Sequence, residues 1–268
     1  MPIALLVIDP QIDFCDPING ALPVPGADKD MARLARMIAR LGSRLTAVHV
    51  TLDTHHLLDI AHPLFWRNEA GVHPAPFTLI SADDVQQGRW RARPEDQARA
   101  VRYVRALEAD ARYALCIWPP HCLLGSVGHA VMPALFQSLL AWEQEGGRVD
   151  YVQKGANIYT EHYSALRAEV PDPADPATQL NTRLRDALEQ ADIVAVAGEA
   201  GSHCVASTVR DLADSFADPA HIRKIVLLSD AVSPVGGFEA YQTAFLQDLT
   251  ARGMQTSTTT AFLAHDTP

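Results

Sequence analysis

Short apolar runs alternate with helical segments along most of this chain, and this alternation constrains the fold more than any other feature. Six runs have the length and composition of buried strands: Ile3–Ile8, Leu45–Leu52, Val149–Gln153, Ile193–Ala197, Lys224–Ser229 and Gln255–Phe262. Helices are predicted between them, at Asp28–Leu41, Ala130–Gln144, Thr178–Gln190, Cys204–Phe216 and Phe238–Ala251. Because strands joined by crossover helices pair in parallel, the sequence predicts an α/β fold. The expected architecture is a doubly wound, mostly parallel six-stranded sheet with helices on both faces.

One long segment interrupts the alternation after the second predicted strand. It covers about residues 56–117 and contains Gln97–Leu115, which is rich in Ala, Arg and Glu and is predicted to be helical. A connection between a strand and a helix is usually a few residues long, so an insertion of this size is typical of a lid, a binding loop or an oligomer contact. The alternative is a surface excursion that only packs. We expect a single domain over residues 1–268 with this insertion.

Composition and charge limit the class of partner. The chain has 268 residues, of which 48% are hydrophobic, and a formal net charge of −10. A negative surface repels nucleic acid and anionic membranes, so a small-molecule partner is favoured. No apolar run reaches the roughly 18 residues of a membrane span, and no signal-like segment precedes the first strand. We expect a cytoplasmic protein whose four cysteines, Cys15, Cys116, Cys122 and Cys204, are reduced.

Three chemically active residues stand at or just after the ends of predicted strands. Asp9 follows the first strand, Lys154 follows the Val149–Gln153 strand, and Cys204 lies on a short turn after Ile193–Ala197. The carboxyl ends of parallel strands face one crevice, so these residues are expected to meet there. An acid, an ammonium group and a thiol in one crevice indicate a cysteine hydrolase. The alternatives are a capping role for Asp9, a surface ion pair for Lys154 and a buried apolar role for Cys204.

A second group of residues suits a metal ion. Asp53 and His55 form a D-x-H pair at the end of the second strand, and His121 lies in the segment W-P-P-H-C. Two imidazoles and one carboxylate with open coordination positions suit Zn²⁺, and also Fe²⁺ or Mn²⁺. Three other histidines lie close enough in sequence to compete as ligands: His56, His62 and His73.

Five segments together carry a resemblance to a known family: V-I-D-P-Q-I-D-F, D-T-H, W-P-P-H-C, Q-K-G with a downstream Y-S, and G-E-A-G-S-H-C. In their order and position the chain resembles the isochorismatase-like cysteine hydrolases and is most similar to the nicotinamidases. The resemblance implies a catalytic triad of Asp9, Lys154 and Cys204. It also implies that Asp53, His55 and His121 bind the metal and that Phe14, Trp118 and Tyr163 form the walls of a ring pocket. Family members carry a cis peptide bond that here falls at Glu199–Ala200.

The chemistry of these side chains agrees with the implied roles. Cys204 begins a helical segment whose N-terminal amides, together with a nearby lysine, are expected to lower the pKa of its thiol. Asp9 is the expected proton acceptor from Cys204 and the later proton donor to a leaving amine. The backbone amides of Ala200 and Cys204 suit an oxyanion hole. Asp13 is expected to be a loop partner rather than a catalyst.

The expected activity is hydrolysis of a primary carboxamide through a Cys204 thioester, with nicotinamide as the substrate that the resemblance implies and nicotinate and ammonia as products. A related amidase for another aromatic or small aliphatic amide is the alternative, and a catalytically idle binding protein is the alternative from another class. We expect a homo-oligomer with a divalent metal ion. Two departures from the family pattern affect the substrate: the long insertion, and Glu199, which stands where an apolar residue is more usual.

Overall fold

The computed structural model describes residues 1–110 and 112–264 and contains a six-stranded sheet surrounded by helices. The strands of the chain are β1 (Ile3–Ile8), β2 (Ala47–Asp53), β3 (Leu79–Ile80), β4 (Leu115–Cys116), β5 (Val149–Lys154), β6 (Ile193–Gly198), β7 (Ile225–Leu228) and β8 (Gln255–Ser257). The main sheet has the order β5-β2-β1-β6-β7-β8, and every neighbouring pair in it is parallel. The predicted fold class is confirmed.

Helices surround the sheet, as the alternation of strands and helices predicted. They are α1 (Ile12–Cys15), α2 (Ala27–Leu41), α3 (Ala82–Gln86), α4 (Gln97–Asp110), α5 (Pro133–Gln144), α6 (Thr182–Glu189), α7 (Cys204–Ser215) and α8 (Glu239–Arg252). Within the two described ranges, no helix combines the length and the apolar character that crossing a membrane requires.

Several element boundaries differ from the predicted ones because local turns end the regular structure. The last strand ends at Ser257 rather than Phe262, since the N–H groups of Ala261 and Phe262 both bond back to the Thr258 carbonyl. The predicted helix at Gln97–Leu115 ends at Asp110, and its last predicted residue belongs to β4 instead. The helix predicted from Ala130 begins at Pro133, a residue that suits the first helical turn.

The helix predicted to begin at Thr178 starts four residues later. The Asn181 side chain accepts a hydrogen bond from the Leu184 N–H at 3.0 Å, which satisfies a free amide of the first turn. Thr178 lies instead in a short 3₁₀ turn that precedes this cap. The sequence therefore located the helix but not the residue that caps it.

The insertion has an apolar cluster of its own. Ile60, Phe65, Trp66 and Ile80 pack there with residues of α4, while the main cluster surrounds the sheet. Strands β3 and β4 form a separate antiparallel pair inside the insertion. The division into one domain with an insertion stays a prediction.

The strand order brings four strand ends to one place. Strand β1 lies between β2 and β6, and β2 pairs with β5 on its other side. The chain order changes direction between β1 and β6, and ligands of such sheets bind in the crevice at this switch point. Asp9 follows β1, and the turn that leads to Cys204 follows β6, while Asp53 and Lys154 are register partners at the ends of β2 and β5. The crevice therefore collects residues from four distant parts of the sequence.

Candidate active site

The ammonium group of Lys154 lies at the centre of the candidate site. Its Nζ atom is 2.9 Å from Oδ2 of Asp9, 2.9 Å from Oδ1 of Asp53 and 3.6 Å from Sγ of Cys204. It also donates to the carbonyl of His162 at 2.9 Å. Burial disfavours the charged amine, but the two carboxylates outweigh it and hold the pKa of Lys154 well above its usual value. The structure brings the three predicted triad residues together around one buried cation.

Asp9 is completely buried and is held in an uncommon backbone conformation. Its φ angle of 44° lies in the left-handed region, which non-glycine residues rarely adopt. The Thr51 hydroxyl donates to Oδ1 at 2.5 Å and accepts from the Asp9 N–H at 3.0 Å, which fixes the carboxylate in place. Burial raises the pKa of Asp9, and Lys154 opposes this shift. An acid whose pKa is raised in this way is suited to accept and return a proton.

Cys204 is the first residue of α7, and its thiol lines the pocket next to Lys154. Burial raises the pKa of this thiol well above its usual value; Lys154 lowers it, while Asp9 and Asp53 raise it further. The expectation of a lowered pKa is therefore wrong, because desolvation and two nearby carboxylates outweigh the ammonium group. A thiol with a raised pKa needs a base to become a nucleophile, and the Asp9 carboxylate lies within hydrogen-bonding reach of it.

The turn between β6 and α7 presents free backbone amides. The Glu199–Ala200 peptide bond is cis, as the resemblance implied. The Ala200 carbonyl accepts from the N–H groups of His203 and Val205, at 3.0 and 3.1 Å. Among the hydrogen bonds of the described residues, neither the Ala200 nor the Cys204 N–H acts as a donor. Two unused donors beside a thiol are the arrangement that an oxyanion hole requires.

Asp53, His55 and His121 come together beside Lys154. Oδ2 of Asp53 is 3.0 Å from Nε2 of His55 and 3.5 Å from Nε2 of His121, and one ligand atom of each residue lies within 4.8 Å of the others. The opposite ring nitrogens are also fixed. Nδ1 of His55 contacts Asp59 at 3.0 Å, and Nδ1 of His121 contacts the Pro119 carbonyl at 2.9 Å. These outer contacts turn both Nε2 atoms towards Asp53, so the donor set fits a divalent ion.

The competing histidines are placed differently from one another. The His62 ring is buried 5.0 Å from that of His55 and 5.4 Å from that of His121, and its Nε2 atom has no partner among the described residues. It lies beside the three-residue group but is not part of it. His73 is held away from the site, since its Nδ1 atom contacts the carbonyls of Pro63 and Trp66. His56 is exposed.

Asp59 and Gln11 are site residues that the sequence interpretation missed. Asp59 lies four residues after His55, a spacing that could have marked it as the partner of that ring. Gln11 donates from Nε2 to the Asp53 carbonyl at 2.8 Å and accepts from the Asp53 N–H at 2.7 Å. It therefore fixes the backbone of the central carboxylate, and only the neighbouring strand ends reveal this contact. Asp13 is a loop partner as expected, because its carboxylate accepts from the N–H groups of Ala21 and Cys122.

A pocket next to the thiol contains the three predicted wall residues. Its lining consists of Phe14, Leu22, Asp53, Trp118, His121, Glu161, Tyr163, Ala200, His203, Cys204 and Val235. The Trp118 indole donates to the Tyr163 hydroxyl at 3.0 Å, which fixes two of the walls to each other. Burial lowers the pKa of His203 to about 3, so this ring is neutral and acts as another aromatic wall. Phe14, Trp118 and Tyr163 thus share one cavity with the nucleophile candidate.

Glu161 is an acidic pocket residue that the sequence did not single out. It is buried, its Oε1 atom accepts from the His162 N–H at 3.0 Å, and its Oε2 atom has no partner among the described residues. Burial raises its pKa, so the carboxyl group is readily protonated. The sequence T-E-H-Y-S at residues 160–164 contained the only signal, an acid two residues before the predicted wall residue Tyr163.

The insertion meets the pocket wall through Phe77. Phe65 and Trp66 are buried in the insertion's own cluster, and neither lines the pocket. Phe77 is 51% exposed, and its ring makes an edge contact with Trp118 at a centroid distance of 5.8 Å. A larger cavity between Leu58, Phe65 and Arg91 lies on the insertion and contains none of the predicted catalytic residues.

Known proteins resemble this chain in sequence and in fold. No protein-family profile matches the chain. The nicotinamidase of Escherichia coli (strain K12) is 29% identical over 210 residues, which cover 78% of this chain and 76% of that protein. The yeast nicotinamidase bound to the inhibitor nicotinaldehyde matches with a TM-score of 0.66 at 16% identity, covering 96% of this chain and 99% of that one. The Pyrococcus horikoshii pyrazinamidase in complex with zinc matches with a TM-score of 0.57 at 19% identity, with coverages of 96% and 99%.

The two structural matches show that the fold is shared. Because their sequence identities are low, they show nothing beyond the fold. The sequence match extends over most of both chains. Together they confirm the resemblance to the nicotinamidases that the five motifs indicated.

Proposed function

We propose that this chain, which is similar to the nicotinamidases over most of its length, is a cysteine amidohydrolase that cleaves a primary carboxamide, with nicotinamide as its substrate. The observation that carries the proposal is the convergence of Asp9 and Cys204 on the Lys154 ammonium beside an aromatic pocket. A structural salt bridge needs neither a thiol nor a cavity. A catalytically idle binding protein would have no use for a buried acid with a raised pKa beside that thiol.

Cys204 attacks the amide carbon in the first half of the reaction. Asp9 takes the thiol proton, and the thiolate forms a bond to the carbonyl carbon. The free N–H groups of Ala200 and Cys204 stabilise the resulting oxyanion. The protonated Asp9 then gives its proton to the amide nitrogen, the C–N bond breaks, and ammonia leaves. The product of this half is a thioester on Cys204.

Water completes the cycle in the second half. Asp9, again a carboxylate, takes a proton from water as the oxygen attacks the thioester carbon. The C–S bond breaks, Asp9 returns the proton to the sulfur, and the carboxylic acid leaves. Lys154 remains charged throughout because two carboxylates face it, and it compensates for the negative charge that passes between Asp9 and Cys204.

Asp53, His55 and His121 hold a divalent ion, for which we propose zinc. Two imidazoles and a carboxylate whose outer contacts are all satisfied suit this ion, and one structurally similar pyrazinamidase is described in complex with it. When bound, the ion supplies a Lewis acid at the edge of the pocket. Asp53 also contacts Lys154 at 2.9 Å, so the metal ligands and the catalytic group share one carboxylate.

The pocket favours an amide attached to a flat ring. Phe14, Trp118, Tyr163 and the neutral His203 supply aromatic surfaces, and the Oε2 atom of Glu161 is an open polar group. A ring of the size of pyridine matches this mixture of apolar walls and one polar contact better than an aliphatic amide does.

We also propose a homo-oligomer in the cytoplasm. The four cysteines are free, which suits a reducing compartment. Light scattering combined with size-exclusion chromatography measures the mass of the particle in solution, and a monomer at working concentration would contradict the oligomer.

Ammonia release from a panel of amides tests the proposed function. Nicotinamide, pyrazinamide, benzamide and acetamide are incubated with the purified protein, with Cys204→Ala as the matched control. We expect nicotinamide to have the highest kcat/KM and nicotinate to appear in equal amount with ammonia. Release of ammonia from acetamide alone would identify an aliphatic amidase, and no release from any of the four amides would contradict the proposed function.

A further inference from the structure

Glu199 points away from the pocket and into the protein behind the nucleophile turn. Its side chain is fully buried, and its Oε2 atom accepts a hydrogen bond from the Ser233 N–H at 3.1 Å. The Ser233 carbonyl in turn accepts from the Gly201 N–H at 2.8 Å. Ser233 is therefore bound to the turn at two points. One is the side chain of Glu199, and the other is the backbone of Gly201, three residues before Cys204.

A second buried acid, Asp30 on α2, meets Glu199 at this point. The Asp30 carboxylate accepts from the Ser233 hydroxyl at 2.5 Å and forms an ion pair with Arg33. The Arg33 guanidinium also donates to the Asp230 carbonyl, so it is fixed on the side of Asp30. Ser233 donates from its N–H to Glu199 and from its hydroxyl to Asp30, so the two carboxyl groups lie side by side, within hydrogen-bonding reach of each other.

Two ionised carboxylates are both acceptors, so they cannot form a hydrogen bond unless one of them is protonated. Asp30 has a cation and a hydroxyl donor. Glu199 has only one N–H donor, and its Oε1 atom has no partner among the described residues. Burial, followed by the charge of Asp30, raises the pKa of Glu199 well above its usual value. The proton therefore belongs on Glu199.

A further titratable group near this pair, the Cys15 thiol on α1, is also uncharged. Burial raises the pKa of this thiol well above its usual value, and the carboxylate charges around it, that of Asp30 among them, raise it further. Arg33 is thus the cation of the cluster and is already paired with Asp30. No described group near Glu199 compensates for a second negative charge.

We propose that Glu199 is a neutral carboxylic acid that donates its proton to Asp30, and that this shared proton positions the turn that presents Cys204 and the amide of Ala200. The positioning role rests on the proposed function, whereas the shared proton does not. Glu199 touches neither the thiol nor the pocket, so it acts through Ser233 and Gly201.

Two replacements distinguish the titratable proton of Glu199 from its hydrogen bonds. Glutamine removes the titratable proton and keeps the hydrogen-bonding groups, whereas alanine removes both. Glutamine keeps a donor for Asp30 and an acceptor for the Ser233 N–H, so Glu199→Gln should keep kcat/KM for nicotinamide within about threefold of wild type. Glu199→Ala leaves both partners unsatisfied, and we expect kcat to fall at least about tenfold with little change in KM. Glu69→Gln makes the same substitution at an exposed position and serves as the matched control.

The melting temperature tests the shared proton without any substrate. Because the pKa of Glu199 in the folded protein is raised above the unfolded value near 4.5, its stabilising effect is complete below that pH and is lost as pH rises towards the folded pKa. The melting temperature of wild type should therefore fall relative to Glu199→Gln by about 3 °C per pH unit in this window. The difference in melting temperature between wild type and Glu69→Gln should stay constant across the same pH range.

The outcomes distinguish this inference from the proposed function. Parallel melting curves for wild type and Glu199→Gln at every pH would show that Glu199 is ionised in the folded protein and would overturn the shared proton. A loss of activity in Glu199→Gln as large as that in Glu199→Ala would overturn the positioning role. If wild type releases no ammonia, the rate of Cys204 alkylation by iodoacetamide replaces activity as the measure of the turn; equal rates in all three proteins would then overturn positioning.

Discussion

The ammonium group of Lys154 lies 2.9 Å from the Oδ1 atom of Asp53, and this contact joins the predicted triad to the predicted metal ligands. The two residues are register partners at the ends of β5 and β2, so the pairing of neighbouring strands sets their separation. A change at Lys154 therefore reaches both halves of the site.

Removal of this ammonium group should destabilise the protein as well as inactivate it. Lys154→Gln leaves the carboxylates of Asp9 and Asp53 buried without their cation, which typically costs about 3–5 kcal/mol. We expect a lower free energy of unfolding in urea and no measurable ammonia release. Lys29→Gln, at an exposed position, is the control and should change neither quantity. A fully stable Lys154→Gln protein would show that the two acids are not ionised together.

Cys204 should be the residue that forms the covalent intermediate. Cys204→Ala is expected to lower kcat by at least about 10³-fold while the fold and metal content stay unchanged. Cys116→Ala is the matched control, because Cys116 is also buried but lies in β4. Mass spectrometry after reaction with an acylating substrate locates the adduct. An adduct on Cys15, Cys116 or Cys122 would refute the assignment.

Asp9 should control the acid side of the pH profile. Asp9→Asn keeps the shape of the side chain but accepts no proton, so we expect kcat/KM to fall more than about tenfold, a loss of at least ~1.4 kcal/mol. In wild type, kcat/KM should fall as pH decreases through the pKa of Asp9, which burial raises above the usual 3.8. A profile that stays flat down to pH 4, or an active Asp9→Asn variant, would show that another group is the base.

The metal content should depend on three particular side chains. His121→Ala and Asp53→Asn are expected to reduce the divalent ion from about one per chain to a small fraction, because each removes one of three ligands. His73→Ala is the control, since that ring is held by backbone carbonyls outside the site. Elemental analysis measures the result. A loss of metal in His62→Ala as large as in His121→Ala would add His62 to the ligand set.

The insertion should affect substrate choice through Phe77 and stability through Trp66. Phe77 is exposed and contacts the pocket wall at Trp118, so Phe77→Ala should change relative kcat/KM among the amides with little change in melting temperature. Trp66 is fully buried and donates to the Ile60 carbonyl at 2.7 Å, so Trp66→Ala should cost about 3–5 kcal/mol of stability. If Phe77→Ala and Trp66→Ala each changed kcat/KM by the same factor for every amide, the insertion would contribute packing and not substrate choice.

The sequence by itself determined the sheet and the chemistry collected at its edge. Buried strands that alternate with helices can only pair in parallel, and parallel strands present their carboxyl ends together. Asp9, Asp53, Lys154 and Cys204 could therefore be assigned to one crevice from their positions at strand ends. The residues at which helices and strands begin and end could not be predicted. They depend on single local hydrogen bonds, such as the cap at Asn181 and the turn at Thr258.

Only the tertiary structure decided what each side chain faces. The strand order β5-β2-β1 brought the Lys154 ammonium within 2.9 Å of both Asp53 and Asp9. Desolvation then raised the pKa of Cys204 where sequence alone predicted a lower one. Glu199 precedes the nucleophile turn in sequence but turns towards Asp30, a residue of a distant helix. Direction, burial and the nearest charge depend on contacts between segments far apart in the chain. Periodicity and motif spacing carry no information about those contacts.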